Sequence, residues 1–356
     1  MKRLFMASMG IVSMMATMAQ VDSTKKATTS FTYSVDTYYR YDFNDAKNLP
    51  SGAQVTNNLT SFTNSKNSFE LGMASIRVDH FVGKVAATAD LGFGRRAAEF
   101  SYTDGNGYPV GSGNGISTLA SVKQLYLSYA PSSKVKFTLG KWATHIGWEL
   151  VDAYANRNYS MSYGFSYGPF FHTGAKADIS LGGKTALMVG VANPTDNTTT
   201  TSSTKVAIAQ LSTATKNDKL KAYLNYQGGT GLSQFDLVLN GTISSKFNIA
   251  YDGTIKTVKI ASDNKSWSSN ALYLNYDPTS KFGLTLRGEY FDDTKAVAGL
   301  NTSIFQATLS GNIKIDNLTI IPELRLDNAK DSTFFKNDGT GTKSAASFIL
   351  AAVYKF

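Results

Sequence analysis

The chain has 356 residues, a formal charge of +9, no cysteine and only 17% charged residues, against about 25% in an ordinary globular domain. The absence of cysteine excludes a disulfide scaffold and any Cys-ligated metal site. Aromatic residues are plentiful, with 19 Tyr and 21 Phe, which argues against a disordered chain. The length fits either two domains or one large β domain.

The first nineteen residues have the pattern of a secretory signal peptide. Lys2 and Arg3 precede an apolar stretch, and Thr17 and Ala19 are small residues where a signal peptidase would cut. The apolar stretch is shorter than the ~20 residues that a membrane-spanning helix needs. We therefore predict a signal peptide at 1–19, an exported protein, and a mature chain 20–356 with a charge of +7.

The mature chain shows a period of two in segments of about ten residues. Around 282–290, for example, Leu284 and Leu286 alternate with Thr285 and Arg287. Strict alternation predicts strands with one apolar and one polar face. Segments of this length suit the ~9–11 residues of a tilted membrane-spanning strand better than the ~5–6 of a soluble strand.

The connections between these segments alternate between short turns and long polar loops, as in outer-membrane barrels. Counting them predicts an all-β fold, a transmembrane antiparallel up-and-down β-barrel of sixteen strands, provided that 143–169 is one long loop. Treating 159–167 as a further strand would break the alternation, and eighteen strands is the other count. The weak point is a very short outer loop at Gly229–Leu232. The long loops are predicted at 42–67, 97–118, 194–204, 255–268, 292–301 and 328–343.

The last strand ends in Phe356 after alternating apolar residues. A terminal aromatic residue of this kind resembles the signal that the barrel-insertion machinery of outer membranes reads. Together with the signal peptide and the loop pattern, it favours a membrane barrel over a soluble β-sandwich.

One segment, 140–174, departs from the strand pattern and carries a motif. It resembles the signature of the β-barrel porin family called porin-2, or OmpL-like, of Gram-negative outer membranes. In that signature a strand-terminal Gly leads to Gly-x-Glu, then to Asn-x-x-Tyr-Ser-x-Ser, then to Pro-x-x-x-Thr-Gly. The resemblance implies an outer-membrane porin of unspecified substrate. The matching positions are Gly140, Gly147, Glu149, Asn156, Tyr159, Ser160, Ser162, Pro169, Thr173 and Gly174.

The long connection 143–169 is the candidate functional segment, because long ordered loops are usually packed or functional. We predict that it folds inward and constricts the pore, with Glu149, Asp152 and Arg157 at the constriction. The two acids are expected to face cations of the lumen wall, such as Lys136, Lys221, Arg287 and Arg325. A purely anchoring role of Glu149 is the equal alternative. The predicted lumen wall consists of Lys136, Lys221, Arg287, Glu289, Glu323 and Arg325.

The sequence contains no motif for catalysis, and we predict neither a metal nor a cofactor. The three histidines, His80, His145 and His172, have no metal-ligand spacing. A sixteen-stranded barrel leaves an aqueous channel, so the prediction is a porin for passive diffusion of small hydrophilic solutes or ions, with a mild preference for anions. The alternatives are a ligand-binding or adhesive barrel with a blocked pore and, less favoured, an outer-membrane lipid hydrolase.

The expected partners follow from this class of protein. They are outer-membrane lipid and lipopolysaccharide, the insertion machinery acting on Phe356, small hydrophilic solutes and, without a sequence marker, a homotrimer; no nucleic acid is expected.

Overall fold

Sixteen antiparallel strands close into one barrel in the computed structural model, which describes residues 27–47, 55–105 and 117–356. The predicted signal peptide 1–19 lies outside these residues. Each strand pairs with its neighbour along the chain, and the last barrel strand closes the ring on the first. The predicted count of sixteen is therefore confirmed.

The barrel strands run from 8 to 15 residues. They are β1 (Thr28–Asp42), β2 (Ser68–Val82), β3 (Val85–Phe93), β4 (Val122–Ser132), β5 (Val135–Ala143), β6 (Phe171–Gly182), β7 (Thr185–Ala192), β8 (Val206–Ala214), β9 (Leu220–Gly229), β10 (Leu232–Thr242), β11 (Phe247–Ile260), β12 (Asp263–Tyr276), β13 (Phe282–Asp292), β14 (Ser303–Ile315), β15 (Leu318–Ala329) and β18 (Ser344–Lys355).

Short elements lie outside the barrel wall. A two-stranded hairpin, β16 (Phe334–Phe335) and β17 (Gly341–Thr342), sits in the last long loop. The helices are α1 (Arg95–Phe100), α2 (Tyr102–Gly105) and α3 (Tyr163–Tyr167), with 3-10 turns at Ser117–Ser121 and Ala153–Ala155. Among the described residues, no helix is long and apolar enough to cross a membrane.

The two faces of each strand differ as the alternation predicts. On β13, Leu286 and Tyr290 point outward and are 43% and 47% exposed, whereas Arg287 and Glu289 point inward and are 0% and 1% exposed. An apolar outside around a polar inside is the arrangement of a barrel whose wall faces lipid. Arg287 and Glu289 are buried although they face the lumen, so other parts of the chain must pack around them inside the barrel.

Turns and loops occupy opposite rims. The rim that holds both ends of the described chain has short turns, such as 83–84, 183–184 and 316–317. The other rim holds the long connections, including 43–67, 94–121 and 144–170. We call these the turn rim and the loop rim.

The structure corrects one of the predicted connections at the loop rim and shortens another. No long loop exists at 255–268, because β11 and β12 continue in register through it and meet at the two-residue turn 261–262. The turn near Gly229–Leu232 contains only residues 230–231. Both hairpins keep the strand count even, because they only replace a loop by a tight turn. The many Lys, Thr and Ser residues of 255–268 made the ends of β11 and β12 resemble a polar loop in the sequence.

Candidate functional site

The connection between β5 and β6, residues 144–170, turns into the barrel. Gly140, near the end of β5, has φ +137°, and a Cβ there would lie 2.2 Å from the carbonyl oxygen of Leu125. Gly147 has φ +90° and donates its amide to Asp236 on the inner face of β10. Such backbone is readily adopted only by glycine, which gives two of the motif glycines a physical reason.

The middle of this segment is bound to the inner faces of β13 and β15. Glu323 on β15 accepts hydrogen bonds from the amides of Tyr159 (2.7 Å) and Ser160 (3.0 Å). Glu289 on β13 accepts hydrogen bonds from the consecutive amides of residues 163–164 (2.8 and 2.7 Å). Two carboxylates of the wall therefore satisfy four loop amides, and the segment crosses the lumen to reach them.

Glu149 lies inside this contact and is paired on both oxygens. Its Oε1 is 2.5 Å from Arg287 on β13, and its Oε2 accepts hydrogen bonds from the amide and hydroxyl of Ser162. Arg287 also donates to the carbonyl oxygens of Ser160 and Met161. Glu149 is only 4% exposed. This geometry joins the loop to the wall and to itself, as the anchoring alternative requires.

Asp152, the second acid predicted at the constriction, has a partner that differs from the expected ones. Asp152 does not face Lys136, Lys221, Arg287 or Arg325; its Oδ1 lies 2.5 Å from the ammonium of Lys123 on β4. The alternation of the sequence did not identify Lys123 as an inward-facing residue. A register shift between β3 and β4, at Asp90 and Leu91, interrupts the simple alternation there.

Arg157 marks how far the loop reaches. It forms two hydrogen bonds (2.7 and 3.1 Å) to Asp277, which follows β12 at the turn rim, and a third to Thr285. The segment enters at the loop rim and is fixed near the turn rim, so it runs along the inside of the barrel.

The six predicted wall residues divide into two groups. Arg287, Glu289, Glu323 and Arg325 contact the inward segment, and Arg325 also forms a bidentate pair with Asp327 (2.8 Å twice) and donates to Met161 O.

The two remaining wall residues lie on another arc of the barrel. Lys136 on β5 is paired with Asp178 on β6 at 3.4 Å. Lys221 on β9 has no ion-pair partner among the residues that the structure describes. These cations are partly exposed and face the remaining space of the lumen.

The other motif residues stabilise the shape of the segment. The Asn156 side chain accepts from the amide of Leu150 and donates to its carbonyl oxygen, which closes a tight loop. Tyr159 donates its hydroxyl to Asp36 on β1 at 2.5 Å. Ser162 caps α3 by accepting from the amide of Phe165. Pro169 lies two residues before the start of β6, which contains Thr173 and Gly174.

Two further loop-rim segments, which the sequence predicted only as long loops, also pack inside. Residues 55–67 and 94–105 share an apolar cluster with the inward segment. Arg96 of α1 is fully buried and donates to the carbonyl oxygens of Val151 and Tyr159. The cluster joins the three segments through buried apolar side chains, and it contains Phe62, Phe100, Val151, Met161, Phe165, Phe170 and Phe171.

Two titratable groups in the loop-rim connections have shifted pKa values. Burial raises the pKa of Asp196 to about 6, although the amides of Phe170 and Phe171 donate to its carboxylate. Burial lowers the pKa of His145 to about 4. In the described part of the chain, no group of three His, Cys, Asp or Glu residues could hold a metal ion.

Solved structures similar to this chain are bacterial outer-membrane channels and outer-membrane proteins. An anion-selective porin from Comamonas acidovorans matches with a TM-score of 0.62 and 12% identity, covering 93% of this chain and 100% of that one. OmpT of Vibrio cholerae, in a trimer form, matches with a TM-score of 0.59 and 13% identity over 93% and 100%. At this identity the likeness shows the fold alone.

The family comparison covers the whole described barrel. No functionally curated protein matches the sequence. The family model described as "Putative beta-barrel porin-2, OmpL-like" matches residues 28–356, which include the 140–174 motif and every barrel strand. The chain therefore belongs to this family of β-barrel porins of the outer membrane.

Proposed function

We propose that the protein is a passive channel for small hydrophilic solutes or ions, with segment 143–169 as its constriction. The observation that carries the proposal is the set of four hydrogen bonds from loop amides to Glu289 and Glu323. They hold the segment against β13 and β15, while Asp152 and Gly147 bind β4 and β10. Partly exposed charges remain between these contacts, on β2, β5 and β9, where a solute would pass.

The balance of these free charges favours anions mildly. Arg77 and Asp79 on β2 form an ion pair at 2.8 Å, and Lys136 pairs with Asp178. Lys221 on β9 is a partly exposed, inward-facing cation without an ion-pair partner among the described residues. Rings of unpaired cations attract anions in pores, so a small excess of positive charge gives a small preference.

Planar-bilayer recording of the purified protein tests the channel. We expect stable conductance steps in KCl and, in a KCl gradient, a reversal potential of the sign produced by excess chloride flux. A protein that inserts but gives no stable conductance would contradict the channel and favour the second function below.

The constriction has its own test. Replacing Glu149 and Asp152 with Ala releases the segment from Arg287 and Lys123, so single-channel conductance and reversal potential should both change. Glu70→Ala is the control, because Glu70 pairs with Arg95 on α1 at the loop rim. Unchanged conductance and reversal potential in the double variant would mean that the segment does not define the narrowest point.

A ligand-binding barrel with a blocked pore is the second candidate. The cluster of Phe62, Phe100, Phe165 and Phe170 supports it, because these side chains are at most 5% exposed and occupy lumen space. The recording above separates the two candidates. Neither requires a catalytic step, a metal or a cofactor.

The proposed partners fit the outer surface. Lipid and lipopolysaccharide would cover the outward apolar side chains. Phe356 is 59% exposed and stacks on Tyr33 at 4.9 Å on the outside of the turn rim, where the insertion machinery could reach it. A homotrimer remains a proposal, and cross-linking of the detergent-extracted protein tests it.

A further inference from the structure

A cavity of about 530 Å³ opens among the loop-rim segments, away from the Glu149–Arg287 contact. Pockets of ~300–1,000 Å³ with few polar groups are the usual size for small-molecule sites. The extended hairpin β11–β12, the end of the inward segment and the loops 193–205 and 293–302 all contribute to its lining. Its lining combines apolar and aromatic side chains with charged ones, and the charged ones indicate the class of ligand.

One wall of the cavity is aromatic and fixed. Trp267 on β12 packs against Phe291 with ring centroids 5.4 Å apart, and Tyr167 packs on the same Phe291 at 5.4 Å. Val258 and Ala298 extend the apolar lining. Trp267 is only 2% exposed, so the accessible apolar lining consists of Tyr167, Val258 and Ala298.

The cation in the cavity has spare hydrogen-bonding capacity. Lys256 stands directly opposite Trp267 in the β11–β12 ladder, and its ammonium lies 6.0 Å from the Trp267 ring centroid. Its one hydrogen bond in the described residues is a long one, 3.4 Å to the carbonyl oxygen of Tyr167. An ammonium can donate three hydrogen bonds, so Lys256 can still donate hydrogen bonds to an anionic ligand.

The acids at the cavity are already engaged. Glu99 accepts from the amide of Phe62 (2.6 Å) and from Arg95 (3.4 Å). Asp196 accepts from two amides and from the hydroxyl of Tyr102. Neither acid lies within the 4 Å of an ion pair with Lys256 in the described chain, but the Asp196 carboxylate is close enough to interact electrostatically with the Lys256 ammonium.

We propose that this cavity is a recognition site for small organic monoanions with a flat apolar body, bound by Lys256 and packed against the apolar lining of Tyr167, Val258 and Ala298. The site deepens the proposed channel function, because it would collect such solutes at the loop rim before passage. A carboxylate and a sulfonate carry the required single charge, whereas a phosphate monoester carries about −1.5 to −2 at pH 7.

Binding to the full chain in detergent tests the site without any need for conduction. The probe is benzoate and the uncharged match is benzyl alcohol, both followed by saturation-transfer NMR. We expect benzoate to bind at least tenfold more tightly than benzyl alcohol. Lys256→Gln should weaken benzoate at least fivefold, Lys256→Arg should restore most of the affinity, and Lys259→Gln, an exposed lysine on the same strand, should leave it within twofold.

Equal binding of benzoate and benzyl alcohol by the wild type would overturn the proposal, and so would unchanged benzoate affinity in Lys256→Gln. The wild-type comparison decides the matter even if the Gln variant fails to fold. Benzenesulfonate and phenyl phosphate then rank the anionic groups. A bilayer recording in KCl alone tests the channel separately. The protein can bind benzoate without conducting ions, and it can conduct ions without binding benzoate.

Discussion

Two arcs of the same barrel wall carry inward-facing charges in opposite circumstances. On β13 and β15, Arg287, Glu289 and Glu323 are at most 1% exposed and bind the inward segment. On β2 and β5, Arg77 and Lys136 keep side chains that are 28% and 19% exposed. An inward position alone therefore does not determine the role of a charged side chain. The neighbouring loop determines whether the side chain binds the inward segment or stays partly exposed inside the barrel.

The largest expected effect concerns the anchoring arc. Glu149→Ala leaves Arg287 buried without its carboxylate, and removing one partner of a buried ion pair costs about 3–5 kcal/mol. We expect a clear fall in the temperature at which the folded, fast-migrating form on a gel is lost. Glu70→Ala, which removes a part-exposed pair with Arg95, should cost about 0–1 kcal/mol. Equal falls in the two variants would show that the anchoring arc is not special.

A second, slightly smaller effect should depend on pH at the other end of the inward segment. The folded-state pKa of Asp196 is raised to about 6, so the protonated form is favoured by folding. Its stabilising contribution is complete below the unfolded pKa near 4 and is lost as the pH rises through about 6. The loss is on the order of 3 kcal/mol from two pKa units.

Thermal unfolding of the wild type and Asp196→Asn at pH 4.5 and pH 7.5 checks this pH effect. The wild type should lose stability relative to Asp196→Asn as the pH rises. Parallel behaviour of the two proteins would mean that Asp196 does not titrate in this range.

The pair at the far end of the segment should have an intermediate effect. Arg157 and Asp277 form an ion pair at 2.7 Å, and their side chains are 17% and 15% exposed. This exposure is greater than that of Arg287, Glu289 and Glu323 and smaller than that of Arg77 and Lys136. Arg157→Gln should cost about 1 kcal/mol and loosen the segment near the turn rim. Hydrogen exchange of residues 150–160 should rise, while exchange of 162–167 stays at the wild-type level. Uniform exchange in the variant would contradict separate anchoring points.

The smallest effect on stability is expected on the solute-facing arc. Lys221→Glu removes a partly exposed cation that has no ion-pair partner among the described residues, so stability should stay within about 0.5 kcal/mol. The reversal potential in a KCl gradient should nevertheless move toward cation preference. Lys219→Glu at the exposed turn 215–219 is the matched control. A reversal potential that moves equally in both variants would remove Lys221 from the solute path.

The sequence was enough to predict the barrel because its physical cause is local. Each strand must put apolar side chains toward lipid, and the period of two records that requirement residue by residue. The alternation of short and long connections fixed the count at sixteen. The prediction was wrong at 255–268, where polar residues on strands that project past the barrel, such as Lys256 and Lys259, resemble a loop.

The contacts of the inward segment could be predicted only in part. The pairing of Glu149 with Arg287 follows from opposite charges on a loop and a wall. The pairing of Asp152 with Lys123 does not, because it depends on a register shift that the sequence does not mark. The packing of Phe62 and Phe100 against Phe165 joins residues up to a hundred positions apart, and no periodic pattern encodes it.

The bonds of Tyr159 have a consequence for how the barrel is completed. Its amide donates to Glu323 on β15 and its hydroxyl to Asp36 on β1, while the strand that lies between these two is β18, the last to be made. Pairs between β1 and β18, such as Asp36 and Val353, join the two ends of the chain, and such distant contacts form slowly. A segment already bound across the gap would hold the first and fifteenth strands at the right separation. The inward loop would then hold the two edges of the seam in position while the last barrel strand pairs with both of them.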